Sequence, residues 1–122
     1  MVSDYKTLVL GASLKQNRYS NLAVNRLLDH NVDTVAFGLK EGDIRQVQIK
    51  TNFDDFQNIH TITLYIGAKR QPEYIDKILQ LNPKRVIFNP GTENPELYRL
   101  LESKGIEVEV ACTLVLLATN QY

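Results

Sequence analysis

The residues best suited to chemistry stand together near the start of the chain: Gly11-Ala12-Ser13, then Lys15, Arg18 and Ser20. They follow the apolar run Leu8-Val9-Leu10 and precede a helix-like pattern. Small residues let a main chain approach a ligand closely. A helix opening just beyond them offers N–H groups and the positive end of its dipole to an anion. Arg18 can fork onto a phosphate, and Lys15 adds a mobile charge. Lys40, Lys69 and Arg70 are further cations near turns. The bland reading of each is a solvated surface charge, which Arg18 is the best placed to escape.

Other chemistries are poorly supplied. No GxGxxG spacing follows Gly11, and no acidic residue ends the second strand to read a ribose, as a dinucleotide site requires. A Walker phosphate loop is absent as well. His30 reads as a helix terminator and His60 as a structural residue in a strand, and neither has metal-ligand spacing to a partner. Glu93 is more simply a solvated or capping carboxylate than an acid or base. Asp54-Asp55 reads as a polar turn, and no triad can be assembled. Cys112 reads as a small buried hydrophobe rather than a reactive thiol. Tyr65 could stack on a base, although a tyrosine at a strand end is commonly core with its hydroxyl outward. No catalytic and no metal-binding residue is assigned.

The elements that must position these residues alternate between strand and helix. Leu8-Val9-Leu10 suits a strand buried on both faces. Ser20 or Asn21 can cap the next helix, which ends at Asp29-His30-Asn31. Val32 to Phe37 reads as the second strand, Glu41-Gly42-Asp43 as a turn and Ile44 to Ile49 as a short third strand. Thr51 to Asn58 is polar apart from Phe53 and Phe56, and Ile59 to Ile66 is a β-branched fourth strand. Pro72 suits a helix start and Pro83 its end. Arg85 to Asn89 is the fifth strand, and Asn94 with Pro95 opens a helix that Lys104-Gly105 stops. Ile106 to Val110 alternates apolar and charged, as an edge strand does. Thr113 to Ala118 is a final short helix. The expectation is a doubly wound parallel α/β sheet, Rossmann-like, of order 3-2-1-4-5-6 in a three-layer α/β/α sandwich. A ligand belongs beyond the carboxyl ends of the strands, between the first and the fourth. The rim there gathers Gly11-Ala12-Ser13, Phe37-Gly38, Tyr65-Ile66-Gly67, Asn89 to Asn94 and Cys112-Thr113.

Composition sets the outer bounds. The 122 residues suit one domain over 1–122, with 43% hydrophobic and 23% charged residues. Fourteen basic and fourteen acidic residues cancel, so general attraction to nucleic acid or anionic membrane is not indicated. One cysteine excludes an internal disulfide framework. No signal peptide and no membrane-length apolar run is visible, and the expected location is the cytoplasm.

Taken together, Gly11-Ala12-Ser13, Arg18-Tyr19-Ser20-Asn21, Asn89 to Asn94 and Cys112-Thr113 resemble the small stand-alone CoA-binding proteins. Their fold is similar to the CoA-binding domain of the succinyl-CoA synthetase α subunit. The likeness runs from Thr7 to about Leu117. It implies that Gly11, Ala12, Ser13, Arg18 and Ser20 hold the phosphates of CoA or an acyl-CoA, with Lys15 a mobile charge in the same loop. Phe37, Gly38, Tyr65, Asn89, Pro90 and Gly91 would shape the rest of the groove. Phe37-Gly38 departs from the Asn-Pro pair frequent in relatives. The synthetase also needs a second domain with a phosphorylated histidine, which this chain does not supply. The implied role is therefore binding without catalysis. Two alternatives stay open: an NAD(P)-binding minimal oxidoreductase or redox sensor, and an interaction subunit docking a partner through Leu114 to Leu117. A homo-oligomer or a protein partner is left undetermined.

Overall fold

The computed structural model describes residues 3–122, with side chains from Tyr5 onward. Its strands are β1 (Ser3–Leu10), β2 (Val32–Phe37), β3 (Gly42–Ile44), β4 (Val47–Lys50), β5 (Thr61–Leu64), β6 (Arg85–Phe88) and β7 (Glu107–Val110). Its helices are α1 (Tyr19–Asp29), α2 (Ile75–Leu81), α3 (Pro95–Ser103) and α4 (Thr113–Ala118). A 3₁₀ segment, Ala68–Tyr74, leads into α2.

The sheet has the order β3-β4-β2-β1-β5-β6-β7. All neighbours are parallel except the β3–β4 hairpin. The expected six-strand order survives with one correction. The expected third strand is a hairpin, because Arg45 takes a left-handed φ of 55° and turns the chain between Ile44 and Val47. Glu41-Gly42-Asp43 is accordingly not a simple turn, since Gly42 and Asp43 pair with Ile49 and Gln48.

Alternation along β1 builds two cores. Leu8 and Leu10 enter one with Ile78 of α2 and Leu97 and Leu101 of α3. Val9 enters the other with Val24 and Leu27 of α1 and Leu117 of α4. Helices thus cover both faces, which lets the central strands be apolar on both sides. Burying each of these Leu, Val and Ile side chains is worth about 1.5–3 kcal/mol.

Helix ends depart from expectation in two places. Arg18 occupies the N-cap of α1 and no side chain caps that helix. Ser20 and Asn21 lie inside its first turn, both buried, and the Asn21 side chain donates back to the Ser13 carbonyl at 2.9 Å. Pro72 sits within the 3₁₀ segment rather than opening α2. Asn94 does cap α3, with Pro95 at its first position. Leu116 and Leu117 are buried in the chain's own cores, so the Leu114 to Leu117 stretch is not a free apolar face. Val115 is its exposed member.

Candidate functional site

The carboxyl ends of β1, β2, β5 and β6 meet around a cleft of about 670 Å³. It lies at the switch point, where β1 sends the chain to β2 on one side and takes β5 on the other. The turn after β1 is held by its neighbour. The Gly11 and Ala12 N–H groups both donate to the Phe37 carbonyl, at 2.9 and 2.8 Å. Those amides are therefore committed to the fold and not free for a ligand. Tightness explains the small residues instead. Gly11 has a φ of +104°, and a Cβ on Gly38 would stand 2.4 Å from the Ala12 carbonyl oxygen. On the far wall the reverse holds: a Cβ at Gly67 or Gly91 would meet nothing within 4 Å, so the main chain there is open to a ligand.

Donors come from α1. The Arg18 N–H donates to the Lys15 carbonyl and the Asn21 N–H to the Arg18 carbonyl, both at 3.1 Å, which leaves the Tyr19 and Ser20 N–H groups as the first-turn donors that no side chain caps. Arg18 and Ser20 flank this opening and line the cleft, with Lys15 one turn before. The lining adds Lys40 after β2 and Arg70 from the 3₁₀ segment. No aspartate or glutamate lines it, and none of the four cations belongs to an ion pair among the described residues. A chain with balanced charge has thus gathered a one-sign cleft. Such a cleft focuses field and draws in anions.

The apolar part of the lining is Phe37, Ile66 and Tyr74, with Leu14, Tyr19 and Leu39 at the mouth. Phe37 stacks on Phe53 at 4.4 Å and meets Tyr74 edge-on at 5.5 Å. Tyr19 and Leu39 are each 71% exposed, unusual for large apolar side chains unless something covers them. Reading of the sequence missed Leu14, Tyr19, Leu39 and Tyr74 as lining residues. Tyr19 had a signal in its place within the Arg18 to Asn21 motif, and Tyr74 in its place at the start of a helix.

Of the expected site residues, Gly11, Ala12, Ser13, Lys15, Arg18, Ser20, Phe37, Gly38, Tyr65, Pro90 and Gly91 all line the cleft. Asn89 does not. It is 1% exposed, donates to Thr63 Oγ1 and the Leu64 carbonyl at 2.8 and 2.9 Å, and accepts from the Thr113 N–H at 2.8 Å. It ties β5, β6 and α4 together beneath the cleft. Thr113 is fully buried in the same network, bonded to Thr63 at 2.7 Å. Glu93 accepts from the Gly91 N–H at 2.9 Å, on its own loop. Cys112, expected buried, is partly exposed at the N-cap of α4.

The Tyr65 hydroxyl points inward rather than out, buried and without a hydrogen-bond partner among the described residues. Burial pushes it up to about 12, against the smaller lowering effect of the Thr63 and Thr113 hydroxyls. Those two hydroxyls bond to each other and leave Tyr65 outside bonding geometry. Tyr65 therefore stays protonated across the physiological range.

The CoA binding domain family matches residues 5–118, nearly the whole chain. The chain belongs to the CoA binding domain family. No curated protein matches it. Among solved structures, an uncharacterized protein is 42% identical at a TM-score of 0.93, covering 97% of this chain and 98% of that one. A hypothetical protein from Pyrococcus horikoshii OT3 is 24% identical at 0.81, over 91% and 80%. A Thermus thermophilus protein is 17% identical at 0.83, over 96% and 90%. The last two show the shared fold alone. Membership of a CoA-binding family agrees with the resemblance read from the residues. Among the described residues no helix is long and apolar enough to cross a membrane.

Proposed function

We propose that the cleft binds CoA or a short acyl-CoA and performs no chemistry of its own. One observation carries this reading: the lining holds Lys15, Arg18, Lys40 and Arg70 and no carboxylate. CoA brings a pyrophosphate and a ribose phosphate, so four cations match its charge better than they match an uncharged metabolite. Fit is supported further by the uncapped start of α1 and the open main chain at Gly67 and Gly91. The volume of about 670 Å³ falls within the range of sites for small ligands and cofactors. Arg18 with the first turn of α1 would take the pyrophosphate, and Phe37, Ile66 and Tyr74 would flank the pantetheine arm. Phe37 and Gly38, the departure from relatives noted in the sequence, would act as apolar wall and close-packing point.

Binding rather than catalysis is supported by what the lining lacks. It contains no histidine, cysteine or carboxylate to serve as general base, and Tyr65 is held neutral. The NAD(P) reading is weaker, since no acid stands at the end of β2 or lines the cleft to take a ribose diol. Lys40 in that loop would accept a sugar phosphate of either CoA or NADP. Calorimetric titration with CoA, NAD and NADP tests the choice. The expected order places CoA first. No heat with CoA at millimolar concentration rejects the proposal, and tighter binding of NADP replaces it.

A further inference from the structure

Gln71 is fully buried in a turn of 3₁₀ helix, with every polar atom of its side chain partnered. Its Nε2 donates to the Ile66 carbonyl and to the Thr92 carbonyl, both at 2.8 Å. Its Oε1 accepts from Asn94 Nδ2 at 2.8 Å, and the Asn94 Oδ1 accepts from the Leu97 N–H. Ile66 belongs to the loop after β5, while Thr92 and Asn94 belong to the loop after β6. Ile66, Gly67, Gly91 and Thr92, from these same two loops, line one wall of the cleft. The glycines of these loops give the main chain little stiffness of its own.

The bonds continue downward. Thr92 donates from its N–H and its hydroxyl to the Asn89 carbonyl, at 3.0 and 2.7 Å. Asn89 in turn grips Thr63, Leu64 and Thr113. A buried network whose members are all satisfied is rigid and fixes one arrangement.

We propose that Gln71 is a positioning residue that locks the Ile66-Gly67 and Gly91-Thr92 loops at the separation the ligand requires. Its consequence for binding rests on the CoA reading above. Its effect on the loops does not. The side chain touches no ligand itself, because it lies behind the wall and is closed to solvent. The opposite wall, with Lys15, Arg18 and the start of α1, is joined to this network by none of these bonds. Loss of Gln71 should therefore impair a ligand that spans both walls and spare one held by the α1 side alone.

The test replaces Gln71 by Met, which keeps length and packing but removes all three bonds, and uses Gln71→Glu as a second variant. Amide hydrogen exchange of the ligand-free protein reads the loops. Titration with CoA and, separately, with inorganic pyrophosphate reads the site. The expected result is at least tenfold faster exchange at Thr92, whose buried N–H is bonded to the Asn89 carbonyl, with Leu8 to Leu10 unchanged. CoA affinity should fall about tenfold and pyrophosphate affinity stay within twofold. Unchanged exchange at Thr92 overturns the lock, as does an equal loss for the two ligands. Should Gln71→Met fail to fold, slow exchange of the Gln71 side-chain amide in the unaltered protein supports the lock and fast exchange overturns it. Absence of CoA binding by the unaltered protein removes the CoA reading and leaves the loop result standing.

Discussion

The two ends of the sheet carry the same kind of side chain under opposite conditions. At the amino end, Arg85 is 6% exposed. Its Nε donates to Thr61 and its Nη1 to Glu109 and the Tyr122 carbonyl, each at 3.1 Å. It lies over the Tyr122 ring at 4.6 Å and the Tyr5 ring at 5.4 Å, and Tyr5 stacks on His60 at 4.0 Å. The Thr7 hydroxyl bonds the Tyr122 hydroxyl. Of the Arg85 guanidinium nitrogens, Nη2 alone lacks a partner among the described residues. At the carboxyl end, Arg18 and Arg70 are exposed and join no ion pair there. An arginine whose donors are filled by its own chain contributes to stability. One whose donors are left open keeps them for something else, at little cost while water solvates it. The contrast separates a structural end from the end proposed to bind, without reference to any relative.

That contrast can be broken at several points. The largest effect belongs to Arg85→Ala, which strands Glu109 and empties the space between two rings. Unfolding free energy should fall by about 3 kcal/mol, toward the lower end for a disrupted buried pair because Glu109 is one-third exposed. CoA affinity should not change. Denaturant titration and calorimetry report the two sides, and a loss of affinity without a loss of stability would reverse the assignment of the ends.

Gly38→Ala comes next. A Cβ cannot fit 2.4 Å from the Ala12 carbonyl oxygen, and Ile49 Cγ2 stands at 2.9 Å on another side. Overpacking of this kind costs about 1–3 kcal/mol. The tilt it forces between the ends of β1 and β2 should weaken CoA binding too. A wild-type midpoint in urea would mean that these ends are not in close contact.

Arg18→Ala should do the converse of Arg85→Ala. Stability should stay within about 0.5 kcal/mol, as for a surface site. CoA binding should lose about 1–3 kcal/mol, the worth of a charge-assisted bond. Raising salt should weaken binding to the unaltered protein and leave its stability nearly constant, because the rim charges are exposed and screened. Unchanged affinity in the variant removes Arg18 from the site.

The smallest effect is a pH dependence at the structural end. Burial, with Arg85 and then Lys84, holds the His60 imidazole below its ordinary value of 6.5, while Glu107 raises it slightly. The folded state therefore binds this proton less readily than the unfolded state does. Stability from this group is intact above about pH 6.5 and declines as pH falls through and below that value. His60→Phe should flatten the decline. Denaturation midpoints between pH 5 and 8 check it, and a decline unaltered in the variant assigns it to other groups.

Much of the fold was legible because its signals are local. Val32 to Phe37 is apolar and β-branched, and β2 spans the same residues. Asn94-Pro95 and Thr113 to Ala118 carry their boundaries in adjacent residues and were read correctly. The hairpin of β3 and β4 was not legible, since an arginine with left-handed φ turns it and no glycine or asparagine marks the place. The cap of α1 was misread for a related reason. Ser20 and Asn21 have capping side chains, but both are buried inside the first turn, so Arg18 takes the cap. At the site, every expected residue but Asn89 reached the cleft lining, yet the roles shifted. Gly11 and Ala12 spend their amides on Phe37, and their size serves contact between strands.

By itself the sequence determined the alternation of strand and helix, the small-residue turn after β1 and the cations around it. Each of these depends on residues near one another in the chain. Tertiary structure alone decided that four cations from three separate segments share one cleft with no carboxylate among them. It likewise decided that Asn89 and Gln71 turn inward to brace its walls. Charge focusing and buried hydrogen-bond networks arise between groups brought together across the sheet, and such neighbours are set by strand order rather than by spacing along the chain.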